Sequence, residues 1–185
     1  MAGRPVNQQR RDELLDAVVG YAVDHGFAGM TWRPLATALG VTPTTLVHRF
    51  HSKERMIEAV QQRLRERILA ETAPSGADDA DLPSYARRVW ARVSDPARDG
   101  EFRLFFAVYG QALQAPGTFA DFLDHVVAEP LNAFGGAADG DAERTATLLI
   151  AAIRGLLLDL LTTGDRDRVS AAAEAFFATL APGTP

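Results

Sequence analysis

Apolar side chains recur along this chain at intervals of three and four, and that spacing predicts helices from one end to the other. Leu14, Leu15, Val18, Val19 and Ala22 repeat on one face from about Arg10 until Gly26 ends the run. Ala2 to Gln9 reads as a flexible basic arm leading into that helix. Leu35 and Leu39, one turn apart, predict a short second helix with Thr31 placed to cap it through its hydroxyl, and Gly40 follows as the residue best suited to a left-handed C-terminal turn. Thr42 then caps a third helix with Pro43 at its first position, and Leu46 and Phe50 face inward. Ser52 caps a fourth, whose inward stripe is Ile57, Val60, Leu64 and Ile68 and which continues to about Glu71. The run TAPSGADDADLP, Thr72 to Pro83, is a loop and a boundary. Beyond it, helices are expected at about Pro83 to Ser94, Ala97 to Gln114, Thr118 to Phe134, Asp141 to Thr163 and Asp165 to Leu180, with turns at Pro96, Pro116 and Gly135 to Gly136. No stretch alternates with period two over the length of a strand, so the expected fold class is all-α.

The second and third helices, joined by a tight turn, have the layout of a helix-turn-helix. Thr42, Pro43, Thr44, Thr45, Val47, His48 and Arg49 are left mostly on the outer side of the third helix, which holds no acidic residue and so suits a polyanion. Thr31 and Arg33, at the start of the second helix, belong to the same DNA-facing set. Lys53, the only lysine in the chain, lies in the first turn of the fourth helix, where free amides and the positive end of the dipole already favour phosphate. The expected organisation is an N-terminal three-helix DNA-binding domain with its connecting fourth helix over residues 1–71, and a C-terminal helical domain over 72–185.

The run LATALGVTPTTLVHRFHSKERMI resembles the DNA-binding signature of the tetracycline-repressor (TetR) family of bacterial regulators. In that signature an Ala-rich helix, a Gly-Val turn, a Thr-Leu pair, an aromatic residue and a Ser-Lys-Glu at the next helix start recur. The resemblance covers roughly the N-terminal third of the chain. One position departs: where the family usually carries a tyrosine, this chain has Val47. Valine cannot donate to a phosphate, so the departure implies compensation from Arg49 or His48, or an apolar touch on a thymine methyl.

Composition changes this picture at two points. At 47% hydrophobic and 23% charged the chain is an ordinary soluble protein, and without cysteine it builds no disulfide framework and no thiolate metal site. No uninterrupted apolar run reaches spanning length, which predicts a cytoplasmic protein with no membrane partner. The net charge of −5 hides an asymmetry, since residues 1–68 carry about +3 and residues 69–185 about −8. An acidic body with a basic end favours docking on DNA by one face.

The last two helices are unusually apolar. Leu149, Ile153, Leu156 and Leu160 form one stripe, while Leu148, Ala152, Leu157, Leu158 and Leu161 fill other faces. Val169, Ala173, Phe176 and Leu180, with Phe177 alongside, repeat on the final helix. The family resemblance implies that this pair and its symmetry mate form a four-helix homodimer interface, for which the excess apolar surface gives a physical reason. Gly155 would permit a close crossing. The alternative is burial within a monomer.

The resemblance also implies a small-molecule effector pocket in the body. Trp90, Phe105, Phe106 and Phe122 supply an aromatic lining, although aromatic residues at helical spacing also make plain core. Tyr109, His125 and Arg154 are polar tips that need partners when buried. His125 and Glu129 are four apart, but two ligands do not make a metal site, and neither metal nor cofactor is expected. The function expected is a repressor released from a palindromic operator on double-stranded DNA by a small hydrophobic ligand. A cofactor-free helical enzyme or ligand carrier is the competing class, but the chain has no nucleophile elbow, phosphate loop or metal spacing.

Overall fold

The computed structural model describes residues 6–74, 81–133 and 140–180, and over these it is built from helices alone. They are α1 (Val6–Gly29), α2 (Trp32–Leu39), α3 (Pro43–Phe50), α4 (Lys53–Thr72), α5 (Leu82–Val93), α6 (Asp99–Gln114), α7 (Ala120–Ala133), α8 (Gly140–Thr163) and α9 (Arg166–Ala178). A short 3-10 turn, Pro96–Arg98, leads into α6. Helix α1 is already formed at Val6, so Val6 to Gln9 belongs to the helix and not to an arm; Arg4 and the glycines at 135 and 136 lie outside the described residues.

The capping chemistry explains where the N-terminal helices stop. Gly26 breaks the helical backbone of α1 at φ +65°, as a glycine can. Gly40 takes φ +64° after α2, and the amides of Gly40 and Val41 close on the carbonyls of Thr37 and Ala36. Thr42 Oγ1 accepts from the Thr45 amide at 3.1 Å, and Ser52 Oγ from the Arg55 amide at 3.2 Å. Thr31 stands at the cap position of α2, but its hydroxyl makes no capping bond there. A Cβ on Gly40 would meet nothing within 4 Å, so Gly40→Ala carries a purely backbone cost of about 1 kcal/mol. A lower midpoint of urea unfolding at unchanged slope is the expected reading.

Two hydrophobic clusters make the core, and they do not divide at residue 71. The first gathers Val18, Val19, Ala22, Leu35, Leu46, Phe50, Met56, Val60 and Leu64 from α1 to α4, and continues into Leu104, Phe105 and Val108 of α6 and Phe122 and Val126 of α7. The second joins Tyr85, Val89, Trp90 and Val93 of α5 to α8 and α9. Helix α4 touches α1, α5, α6 and α7 and so lies between them. Its deepest residues are Met56, Val60, Gln61 and Leu64; the expected Ile57 and Ile68 are only half-buried, because α4 is gripped from two sides and its buried arc is wider than one stripe.

Charge pairs reinforce the same junction. Asp16 of α1 receives Arg63 of α4 through two bonds, 2.7 and 3.0 Å, and Arg67 at 2.8 Å. Those guanidinium groups, Arg63 first, hold the Asp16 carboxyl below the usual carboxylate range against a smaller opposing effect of burial. Arg67 also approaches Glu101 of α6 at 3.6 Å, and Arg98 pairs with both Glu101 and Glu71. The result is a continuous run of alternating charge from α1 through α4 to α6.

The stretch Glu143–Thr163 of α8 is long and apolar enough to cross a bilayer by length and composition, although its apolar run is not uninterrupted. Arg154 and Asp159 interrupt it in sequence but do not lower its apolar content enough to exclude it. Within the fold one side of this helix is core, and Asp159 holds Arg168 of α9 through two bonds of 2.8 Å.

Candidate nucleic-acid interface and effector cavity

The outer face of α3 is held out by a fixed base. Leu46 and Phe50 are buried beneath it, with Leu35 and Ala36 of α2 in the same cluster. Above that base Thr42, Pro43, Thr44, Thr45 and His48 are exposed, and Val47 presents 42% of its surface to solvent. The Thr42 and Thr45 hydroxyls lie 2.9 Å apart and occupy each other, whereas the Thr44 side chain is exposed. A shallow groove between the starts of α2 and α3 is lined by Thr31, Trp32, Arg33, Pro34, Pro43, Thr44 and Val47. Trp32 was not among the sequence candidates; its place beside Thr31 and Arg33 at the helix start was the available signal.

Two basic residues differ in setting. Lys53 is half-buried at the N-terminus of α4, next to the Ser52 cap. Arg49 is not fully outside as expected: its guanidinium lies over the Phe50 ring at 5.5 Å and its Nε is buried without a hydrogen-bond partner. Between α3 and α4 the chain turns through His51 at φ +68°, and its amide donates to the Val47 carbonyl at 2.7 Å.

The body contains a cavity of about 110 Å³ between α4, α5, α6, α7 and α8, several times the roughly 10–15 Å³ that holds one water. Of the residues expected around a ligand, Phe105, Phe106 and Arg154 line it. Trp90 packs instead in the second hydrophobic cluster. Phe122 and Tyr109 stack edge to face with one another behind Phe105, so their apolar area is spent on core. His125 faces outward, with its Nδ1 at 2.7 Å from the Asp121 carbonyl, while Glu129 turns to Arg65, which separates that pair. Phe102, another aromatic residue of the same run, lines it as well, and Glu129 lines it without His125; the sequence reading missed Arg65, Thr72, Tyr85, Val89 and Pro130, all of which line the cavity. Pro130 inside a helix was the one local irregularity that pointed there.

The apolar stripe expected at a dimer interface is largely the protomer's own core. Leu149, Ile153, Leu157, Leu160, Val169, Ala173 and Phe177 are buried against α5, and Leu156, Phe176 and Leu180 are half-buried at its margin. What faces outward is a different stripe of α8: Leu148, 64% exposed, then Ala151, Gly155 and Leu158, 50% exposed. On α9 the exposed row is Ala171, Ala175 and Ala178. A Cβ on Gly155 would meet nothing within 4 Å, so nothing inside the protomer requires a glycine there.

Residues 14–60 match the model of bacterial regulatory proteins of the tetR family. Over 51 residues the chain is 41% identical to the HTH-type transcriptional repressor KstR2 of Mycolicibacterium smegmatis, a match that takes in 28% of this chain and spans about a quarter, 25%, of that relative. Over nearly its whole length the fold is similar to a transcriptional regulator from Rhodococcus sp. Rha1, with a TM-score of 0.70, 23% identity, and coverage of 92% of this chain and 95% of that one. The multidrug binding protein EbrR, solved in complex with imidazole, gives a TM-score of 0.69 at 22% identity over 95% of this chain and 93% of its own.

Proposed function

We propose that this chain, a transcriptional regulator of the tetR family of bacterial regulatory proteins, is a homodimeric cytoplasmic repressor that leaves a two-fold symmetric operator when a small ligand enters the cavity beside α4. The observation that carries the reading is the outer face of α3, raised on a buried Leu46 and Phe50 and free of carboxylates. In this reading Thr44, Val47 and His48 meet base edges, while Thr31, Arg33, Arg49 and Lys53 hold the backbone. Val47 supplies an apolar contact suited to a thymine methyl. Two such faces in one dimer would enter successive major grooves about 34 Å apart. The repressor named among the relatives supports the direction of regulation, and the multidrug binding protein of similar fold supports a small-molecule ligand.

The outward stripe of α8, with the alanine row of α9, is the surface that supports pairing. A glycine in a helix interior is unfavourable by about 1 kcal/mol, and an approach of two helices at Gly155 would account for it. Ligand entry would displace α4, which touches both the cavity and the reading unit, and a coupling of about 1 to 3 kcal/mol suffices to lower operator affinity by one to two powers of ten.

The deciding experiment is a fluorescence-anisotropy titration against the DNA upstream of the protein's own gene, in the presence and absence of random competitor. Saturable binding that survives competitor is expected, and binding erased by equimolar random DNA would remove the operator reading. Lys53→Ala should weaken binding about equally on all sequences and reduce the slope of log affinity against log salt by about 1. Replacement of Thr44 or His48 should change the selected sequence instead. A salt slope that Lys53→Ala leaves untouched removes the phosphate contact.

A further inference from the structure

The cavity lining holds more positive charge than negative. Its ionisable side chains are Arg65, Arg154 and Glu129, two cations and one anion. Glu129 is taken by Arg65, whose Nε lies 2.9 Å from its carboxylate. Arg154 has no carboxylate within ion-pair distance among the described residues; its partners are the Val126 carbonyl and the face of Tyr109 at 5.7 Å. The first contact has a local origin. Pro130 stands four residues after Val126 within α7 and has no N–H, so the Val126 carbonyl lacks its helical donor and Arg154 Nη2 replaces it. That uses one of five donors and leaves the charge uncompensated. Burial pushes the Arg154 pKa down, which is the mark of a cation poorly served by its surroundings, although a guanidinium stays ionised at neutral pH. Two hydroxyls complete the polar lining, and neither offers a counter-charge: Tyr85 donates to the Thr72 carbonyl at 2.7 Å and Thr72 to the Ile68 carbonyl at 2.8 Å.

We propose that the cavity takes a monoanionic amphiphile whose carboxylate pairs with Arg154 and whose hydrocarbon chain lies among Val89, Phe102, Phe105 and Leu149. This rests on the effector-site reading above and narrows it from a hydrophobic ligand to an acid with an apolar tail. A carboxylate can take two parallel guanidinium N–H bonds, and the apolar remainder of the lining accepts the chain.

Three probes of one chain length test it on the full-length protein by isothermal titration: octanoate, 1-octanol and octylammonium. Affinity should fall in that order, with octanoate at least about tenfold tighter than the alcohol. Arg154→Gln keeps an N–H for the Val126 carbonyl but removes the charge, and should bind the acid and the alcohol within about twofold of each other. Equal binding of the three by the wild type, no binding of octanoate, or a preference undiminished in Arg154→Gln would each overturn the proposal. The ligand comparison on the wild type stands even where the variant fails to fold. Operator titrations of the same ligand-free samples separate the two readings: intact operator binding without acid preference sinks only the ligand class, and absent operator binding sinks the regulator on which it rests.

Discussion

Leu46→Ala is expected to cost about 2 to 5 kcal/mol of folding stability, a large share of the roughly 5 to 15 kcal/mol a domain has to lose. Leu46 is fully buried at the centre of the inner face of α3, with Leu35, Phe50 and Met56 in the same cluster. Truncation leaves a void in a helix of eight residues, too short to hold its place by its own hydrogen bonds. Stability and DNA binding should therefore fall together. Thr45→Ala, on the exposed side of the same turn, should cost about 1 kcal/mol or less. Chemical denaturation of the three proteins checks this. A Leu46→Ala loss no greater than that of Thr45→Ala would mean that α3 is held by something other than its packed face.

Leu158→Arg should separate the proposed dimer and reduce operator affinity by about 10² to 10⁴, since two linked reading faces bind far more tightly than one. Leu158 is half exposed and belongs to the outward stripe of α8, so an arginine there has solvent to occupy in a lone protomer and costs little fold stability. Leu157→Arg, one residue earlier and 3% exposed, is the contrasting case and should unfold the body. Sedimentation of Leu158→Arg should give one chain where the parent gives two. A parent that sediments as a single chain, or a variant that remains paired, would remove α8 from the interface.

These cases also mark what could be read in the sequence. The reading unit was legible because its boundaries are local chemistry: Gly40, Thr42 and Ser52 end or begin helices through their own backbone and hydroxyl groups, and Leu46 and Phe50 leave one face only for the core. Thr31 shows the limit, since a cap position does not oblige the hydroxyl to be used. In α8 periodicity located apolar faces but not their partners. Leu149 and Leu148 are adjacent leucines, and only the packing of α5 and α9 decides that one is core and the other surface. The cavity was least legible, because a lining is defined by where five helices fail to touch. Tyr109 and Phe122 look like Phe106 in sequence, yet only Phe106 among the three meets the empty space.

The seam between α1 and α6 limits how this protein could be recombined. A Cβ on Gly100 would lie 2.7 Å from the Val23 side chain, so that side chain already fills the space a larger residue at 100 would need. The charged groups of Asp16, Arg67 and Glu101 bridge the same pair of helices through α4. A chimaera that grafts a foreign reading head onto this body at residue 71 inherits half of that fit and loses the other half. To exchange specificities between relatives, an engineer would have to leave Val23 and Asp16 in place and recut only the outer surface of α2 and α3.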